Sequence, residues 1–382
     1  MGIIILLASL ISLRFGISVA ILEILFGVLA GNLGIINIQD WMIFISSFGG
    51  IFLTFLAGAE TDIVLMKNNL KESLSIGFAS FFLPFLTIFI LTYFFAGWNY
   101  MASLLAGVAL SETAVAVVYF VLVENNLLDT DAGKRIMAAT FITNLGTALA
   151  LSVLFLKPTL YTVIFYIISI LVIIIATQFS HLIFDNKRFQ NKVIEPEIKY
   201  IFMLLLVFMV FAQLGGTQAI LPAFILGLLM SQRLVENSQS IEVKKRMKTV
   251  AFAFITPIFF IIGGMKLSLY SLIANVPLFI VLLVIRQLSK MAGIYIFARQ
   301  YVESDRTYTI LLLSTGLTFG LIASLFGLSA GYLDQTQYSL LTGVLIVSAI
   351  IPTLIAQKWY SPLHSEDLLD ANLSHVDNEE NF

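Results

Sequence analysis

The sequence predicts an all-α integral membrane protein of about thirteen transmembrane helices, built as two inverted repeats that each contain a broken helix. Three observations carry that expectation. First, 59% of the 382 residues are hydrophobic and 12% are charged, against about 25% charged residues in a soluble domain; the mean hydropathy is +0.98. A soluble chain of this length could bury a large core, but it could not hide one apolar run after another. Second, the runs are continuous instead of alternating with period two, so helices rather than barrel strands are the spanning element. Third, lysine and arginine fall almost entirely on one side of the spans.

Cutting the apolar runs at their glycine, proline and charge interruptions places spans near residues 2–13, 17–32, 41–58, 73–97, 102–123, 134–156, 159–181, 198–214, 217–232, 249–264, 277–298, 307–331 and 337–357. The first is short and reads as tilted or partly interfacial. Without a basic n-region or an A-x-A site, it is a retained helix rather than a cleaved signal. Glu23 lies in the second span. Glu60 and Asp62 close the third beside Lys67 and Lys71, a boundary cluster that is structural or an entrance. Pro84, Pro222, Pro257 and Pro352 fall inside spans, where kinks or breaks are expected. VKKRMK at 243–248 serves as an orientation signal, with anionic lipid as a second contact. Lys266, beyond the tenth span, reads as interfacial.

With the N-terminus outside, the inner segments carry Arg14, Lys67, Lys71, Lys134, Arg135, Lys187, Arg188, Lys192, Lys199, Arg233, Lys244, Lys245, Arg246, Lys248, Arg299, Arg306 and Lys358. Lys157 and Lys266 lie outside, and Arg286 and Lys290 lie within the eleventh span. An odd span count then places the C-terminus in the cytoplasm. Residues 1–361 are expected to form the transmembrane domain. The tail, 362–382, with Glu366, Asp367, Asp370, Asp377, Glu379 and Glu380, is expected to be solvated and mostly disordered. It is too short for an appended nucleotide-binding domain, and His364 and His375 in it read as solvent-facing. The chain has no cysteine, so disulfides and cysteine-metal sites are excluded.

Polar residues inside spans are costly and mark candidate functional positions. Ser111, Glu112 and Thr113 interrupt the fifth span; Ser314, Thr315, Gly316 and Thr318 interrupt the twelfth. The two interruptions lie seven spans apart, an odd number, which is the pattern of inverted repeats whose broken helices face a site near the midplane. Close packing through small residues is the alternative. In the sixth span Thr140, Thr143, Asn144 and Thr147 recur at spacings of three and four, hence on one helical face. Such an oxygen-bearing stripe suits a desolvating alkali cation, though threonine and asparagine also serve as interhelical glue. Arg286 and Lys290 share a face of the eleventh span. They require compensation by Glu112, Glu23 or water, unless Arg286 snorkels.

The stretches ILEILFGVLAGNLG, FLAGAETD, LSETAVAVVYFVL, TPIFFIIGGMKLSL and VLIVSAIIPTLIAQ, in that order along most of the chain, resemble the monovalent cation:proton antiporter-2 family, with its NapA-type sodium/proton antiporters and Kef-type potassium systems. The resemblance implies the sodium/proton antiporter fold: two inverted repeats, a core domain in which two discontinuous helices cross, a dimerisation domain and a homodimer. It places Thr143-Asn144 where such antiporters carry a polar-acidic pair whose second carboxylate binds cation and proton. Lys290, in QLSKMAGI, matches the lysine that pairs with the first carboxylate in electrogenic members. Both positions depart from the pattern, since Thr143 is no ionic partner and an amide does not titrate. The expected function is therefore a secondary transporter and not an enzyme, exchanging a monovalent cation (sodium, or potassium or lithium) for protons in the plasma membrane without a cofactor or nucleic acid. Thr143, Asn144 and Glu112 would hold the cation, Glu112 would titrate, Lys290 would compete or brace, and Ser111, Thr113 and Ser314 to Thr318 would line the crossing. Glu23 and Arg286 are supporting candidates. The alternative is a cation-binding homologue that does not exchange, a leak or sensor, because Asn144 replaces the usual carboxylate.

Overall fold

Each expected span is present as a helix in the computed structural model, which describes residues 1–15, 18–61, 70–125, 127–128, 130–156, 159–180, 184, 195–235, 238–302 and 305–360. Asp62, Lys67, Lys157, Lys187, Arg188, Lys192, His364, His375 and the tail from 362 onward lie outside these residues. In chain order the helices are α1 (Gly2–Phe15), α2 (Val19–Asn32), α3 (Asp40–Ala59), α4 (Leu70–Ile90), α5 (Tyr100–Ser111), α6 (Val115–Glu124), α7 (Asp131–Leu154), α8 (Leu160–Phe179), α9 (Pro196–Leu214) and α10 (Ile220–Met230). They are followed by α11 (Ser238–Val250), α12 (Thr256–Met265), α13 (Leu269–Ala274), α14 (Val276–Tyr301), α15 (Arg306–Leu313), α16 (Thr318–Ser329) and α17 (Gln335–Trp359).

Local chemistry sets the ends. Asn99, Thr130 and Thr159 cap α5, α7 and α8 through side-chain oxygens, and Asp334 with Gln337 closes a capping box on α17. Pro84 and Pro352 are carried inside continuous helices. Pro222 stands near the start of α10. Pro257 opens α12 directly after a π-helical turn, Ala251–Ile255, where the ladder is already loosened.

Two large hydrophobic cores form, and a smaller cluster joins α3 to α12. One large core joins buried residues of α4 to α7 with those of α14 to α17 and part of α2, and takes in Leu53 and Ala57 of α3, Ile220 and Phe224 of α10 and Phe259 and Phe260 of α12. The other joins α3, α8, α9, α10 and α11. Two helix pairs approach closely enough that glycine is required. A β-carbon on Gly27 would overlap the Ile261 carbonyl, and one on Gly264 would overlap that of Ile24, so α2 and α12 meet backbone to backbone. The pair α3 and α10 repeats this contact, Gly58 against Phe224 and Gly227 against Phe55. Gly227 and Phe224 fall 200 positions after Gly27 and Ile24, so the two crossings use the same three-residue offset with their partners exchanged. The spans thus pack first by close backbone contact, which in a membrane replaces the hydrophobic force absent between lipid-solvated helices.

Candidate functional site

The expected interruptions are true breaks. Helix α5 stops at Ser111, Glu112 adopts an extended backbone (φ −68°, ψ 164°), and α6 begins at Val115; α15 stops at Leu313 and α16 begins at Thr318. Side-chain hydroxyls occupy carbonyls at both stops. Ser111, Ser314 and Thr315 turn their hydroxyls back onto the carbonyls of Val108, Leu311 and Leu312, three residues earlier, at 3.0, 2.7 and 2.7 Å. Such bonds offer the backbone an alternative to the helical ladder. The breaks meet, because the Thr113 hydroxyl donates to the Leu313 carbonyl at 3.0 Å. Ser348 of α17 donates to the Gly316 carbonyl at 3.3 Å and braces the second break.

Each stop leaves the negative end of a half-helix inside the membrane. Arg286 and Lys290 of α14 answer both. The Arg286 guanidinium donates from Nε to the Leu110 carbonyl at 3.1 Å and from Nη1 to the Ser314 carbonyl. Lys290 Nζ donates to the Ser111 carbonyl at 2.5 Å and to the Ser80 carbonyl of α4 at 3.3 Å. Gln287 completes the arrangement, accepting from Arg286 Nη1 at 2.9 Å and donating to the Ser314 hydroxyl at 2.7 Å. Both cations are fully buried, so Arg286 does not snorkel. Their compensation comes first from carbonyl ends, a partner that sequence reasoning did not supply. Glu23 is buried on α2, and among the described residues no hydrogen bond or ion pair joins it to either cation.

Glu112 is fully buried at the centre, its carboxylate against the backbone N–H groups of Leu317 and Gly320 at the start of α16 without a well-formed hydrogen bond to either. Arg286 Nη2 is unpaired, and both groups border Gly316: a β-carbon there would overlap Nη2 and lie 3.3 Å from Glu112 Oε1. Helix α7 packs against all four half-helices, α5, α6, α15 and α16. On it Thr140, Thr143 and Thr147 are fully buried and donate to the carbonyls four residues earlier, at 2.8, 2.9 and 3.0 Å. Asn144, equally buried, has no partner for either its amide nitrogen or its oxygen, and the Thr318 hydroxyl is also unpaired. Unsatisfied buried polar groups are costly. Their concentration at the crossing fits a site for a small polar or ionic guest. Among the described residues no cluster of three His, Asp or Glu side chains exists. The donor set is therefore one carboxylate with neutral oxygens, which fits a monovalent cation better than a tightly held divalent one.

The residues that composition alone did not single out are Gln287 and Ser348. Each is polar within an apolar span, the signal that identified Arg286 and Lys290, but serine is too common in packed membrane helices to stand out; Ser80 contributes its backbone carbonyl and not its hydroxyl. Away from the crossing, a cavity of about 460 Å³ opens between α3 and α16, lined by Ser46, Gly50, Gln213, Phe259, Ile322 and Phe326. Asp40 and Lys266 also line it, where α3 begins and α12 ends. Burial holds the Lys266 ammonium below its ordinary range.

The sequence profile of the family described as "Sodium/hydrogen exchanger, transmembrane" matches residues 2–358. The chain is 25% identical over 347 residues to the "Probable Na(+)/H(+) antiporter 3" of Methanocaldococcus jannaschii, covering 87% of each chain. It is 26% identical over 381 residues to a "Na(+)/H(+) antiporter" of Enterococcus hirae, covering 94% of this chain and 96% of that one. The solved structure of the sodium proton antiporter MjNhaP1 from Methanocaldococcus jannaschii at pH 8 superposes with a TM-score of 0.70 at 16% identity, over 94% of this chain and 97% of that one. The likeness to that structure establishes a common fold. The family match carries the wider sodium/hydrogen exchanger assignment and not the narrower antiporter-2 one that the motifs suggested.

Proposed function

We propose, from the premise that this chain belongs to the sodium/hydrogen exchanger transmembrane family, that it exchanges sodium for protons across a membrane by alternating access. It is a multi-pass membrane transporter and not an enzyme. The observation that carries the exchange reading is Glu112, a fully buried carboxylate inside one break and facing the other, where α16 begins. Coupled exchange needs a group that holds a proton or stands beside a cation but not both. A carboxylate meets that need and the Asn144 amide does not. Glu23, Glu112 and Glu197 are the buried acidic residues among those described, and of these only Glu112 belongs to the broken helices. In this reading the cation lies between the Glu112 carboxylate, the Asn144 and Thr143 oxygens and freed backbone carbonyls. Arg286 and Lys290 hold the half-helix ends, so that neither the charged nor the protonated carboxylate leaves the crossing unbalanced.

The glycine-backed pairs of α2 with α12 and of α3 with α10 support two inverted repeats, α1 to α7 and α9 to α17, with α8 between them. The two hydrophobic cores support a core domain carrying the crossing and a second domain working against it. The exposed apolar faces suit lipid and a homodimer contact. The positive-inside bias supports an outer N-terminus in the plasma membrane.

The test is exchange in liposomes with an imposed pH gradient, read by a pH-sensitive dye on adding sodium, lithium or potassium. Sodium is expected to collapse the gradient for the unmodified protein, and Glu112→Gln to abolish the response. Exchange at the unmodified rate by Glu112→Gln removes its role. If only Asn144→Asp exchanges, the chain binds cations without exchanging protons.

A further inference from the structure

Glu60, which the sequence places in a boundary cluster with Asp62, Lys67 and Lys71, is bound by Lys244 and Lys248 of α11, while Asp62 and Lys67 lie outside the described residues. We infer that Glu60, Lys248 and Tyr119 form a latch that closes the transporter at the end of the bundle opposite its cavity; the inference rests on the alternating-access reading.

Three observations build it. The Lys248 ammonium is engaged on three sides: it ion-pairs with Glu60 Oε1, meets the Tyr119 hydroxyl at 3.4 Å, and stands 4.5 Å from the Tyr119 ring centroid. Lys244, one turn earlier on the same face, donates to the Ala59 carbonyl at 2.9 Å and lies 3.7 Å from Glu60 Oε2. The α11 helix is thereby fixed to the end of α3, while Lys248 also reaches across to α6. The contact with Tyr119 joins two bodies. Glu60 ends α3 and Lys248 lies on α11, helices that both supply the second core, whereas Tyr119, on α6, the half-helix that leaves the Glu112 break, packs against the first. The cavity, finally, lies between α3 and α16 along the early part of α3, from Asp40 to Ile51. Glu60 is nine residues beyond Ile51, about 14 Å along the helix axis. The two bodies are apart at one end of α3 and tied at the other, which is the geometry of one rocking state.

The ties have the right character for a reversible closure. Glu60 and Lys248 are partly shielded, with side chains 12% and 24% exposed. Their pairing holds the Lys248 ammonium in place on the second core, so the contact that parts on opening is the one to Tyr119. The cation-π contact adds a partner that survives small sliding of the ring, since it is less directional than a hydrogen bond.

The test uses the absence of native cysteine. Ser46→Cys places a single thiol in the cavity at a buried position, with a near-isosteric change. Its labelling rate by a membrane-impermeant thiol reagent, applied to oriented vesicles from the cavity side, reports how much of the population is open there. Adding Lys248→Gln is expected to slow labelling several-fold, and Tyr119→Phe to slow it less, because the ring remains. Lys248→Arg is expected to restore the rate, and Lys245→Gln, on the exposed face of the same helix, to leave it unchanged. Equal rates with Lys248 and with Lys248→Gln, in protein that elutes as a single folded species, overturn the latch. Labelling requires no exchange, so a slowed rate in a chain that fails to exchange would keep the latch and reject the transport reading. Normal exchange with unchanged labelling would do the reverse.

Discussion

Asn144 carries a buried amide with nothing to bind, so its removal has two separable consequences. Replacing an unsatisfied polar group by an apolar one is nearly neutral or stabilising. Asn144→Ala is therefore expected to unfold at the same temperature as the unmodified protein, or slightly higher, in sodium-free buffer. Sodium at a hundredfold excess over its dissociation constant would stabilise a binding-competent chain by about 2.7 kcal/mol. That sodium-dependent rise is expected to vanish in Asn144→Ala, and its persistence in a thermal-shift series would exclude Asn144 as a ligand. Arg286 presents the opposite case. Its fork joins the carbonyl ends of α5 and α15 through different nitrogens, and a lysine, a point charge on a single stem, cannot span both. Arg286→Lys is expected to lose about 3 kcal/mol of stability by leaving one buried helix end uncompensated, together with most exchange activity. An unfolding midpoint within a degree of the unmodified protein would show that one contact suffices.

At the scale of elements, the paired close approaches make a prediction that ordinary packing does not. Gly27 and Gly227 occupy equivalent places in the crossings α2 with α12 and α3 with α10, each against a backbone carbonyl that cannot withdraw as a side chain would. Gly27→Ala and Gly227→Ala are expected to cost comparable amounts, about 1–3 kcal/mol each. Gly50→Ala, whose β-carbon would meet Phe259 at an ordinary 3.4 Å, should leave the unfolding midpoint nearly unmoved, and unequal costs at Gly27 and Gly227 would weaken the repeat reading. Much of this architecture was legible beforehand. Continuous apolar runs gave the spans, and Ser111-Glu112-Thr113 and Ser314 to Gly316 gave both breaks, because side chains that compete for backbone carbonyls announce a helix end. The reciprocal glycines were not legible, since GVLAGN and FLAGAE contain small residues of the kind found throughout membrane helices. What Arg286 and Lys290 bind was also hidden. Sequence suggests carboxylates as partners for cations, whereas the carbonyl ends that hold these two exist only once both helices stop. The pairing of Glu60 with α11 was hidden for a similar reason, as Lys244 and Lys248 lie 184 and 188 positions further along the chain.

For the molecule as a whole, the question is whether the two bodies must approach each other for transport. Gly50 on α3 faces the cavity with Phe259 and Ile322 beyond it, and Ile322 belongs to α16, the half-helix that leaves the second break. A phenylalanine at this position would project into a space of about 460 Å³, so the present arrangement can accommodate it without displacing packed core. Its cost would fall on any state in which α3 and α16 close together, because filled interiors resist further compression. Gly50→Phe is therefore expected to leave the unfolding temperature and sodium-dependent stabilisation close to those of the unmodified protein while slowing exchange at least tenfold. The combination distinguishes a moving boundary from a static one. If the cavity were a fixed vestibule beside a stationary crossing, the added ring would leave the maximal rate unchanged and raise only the sodium concentration needed to reach it. Measuring both parameters in liposomes over a range of sodium concentrations decides between them. A loss of rate at saturating sodium means that the two cores must close across α3 in every cycle, and retention of the full rate means that they do not.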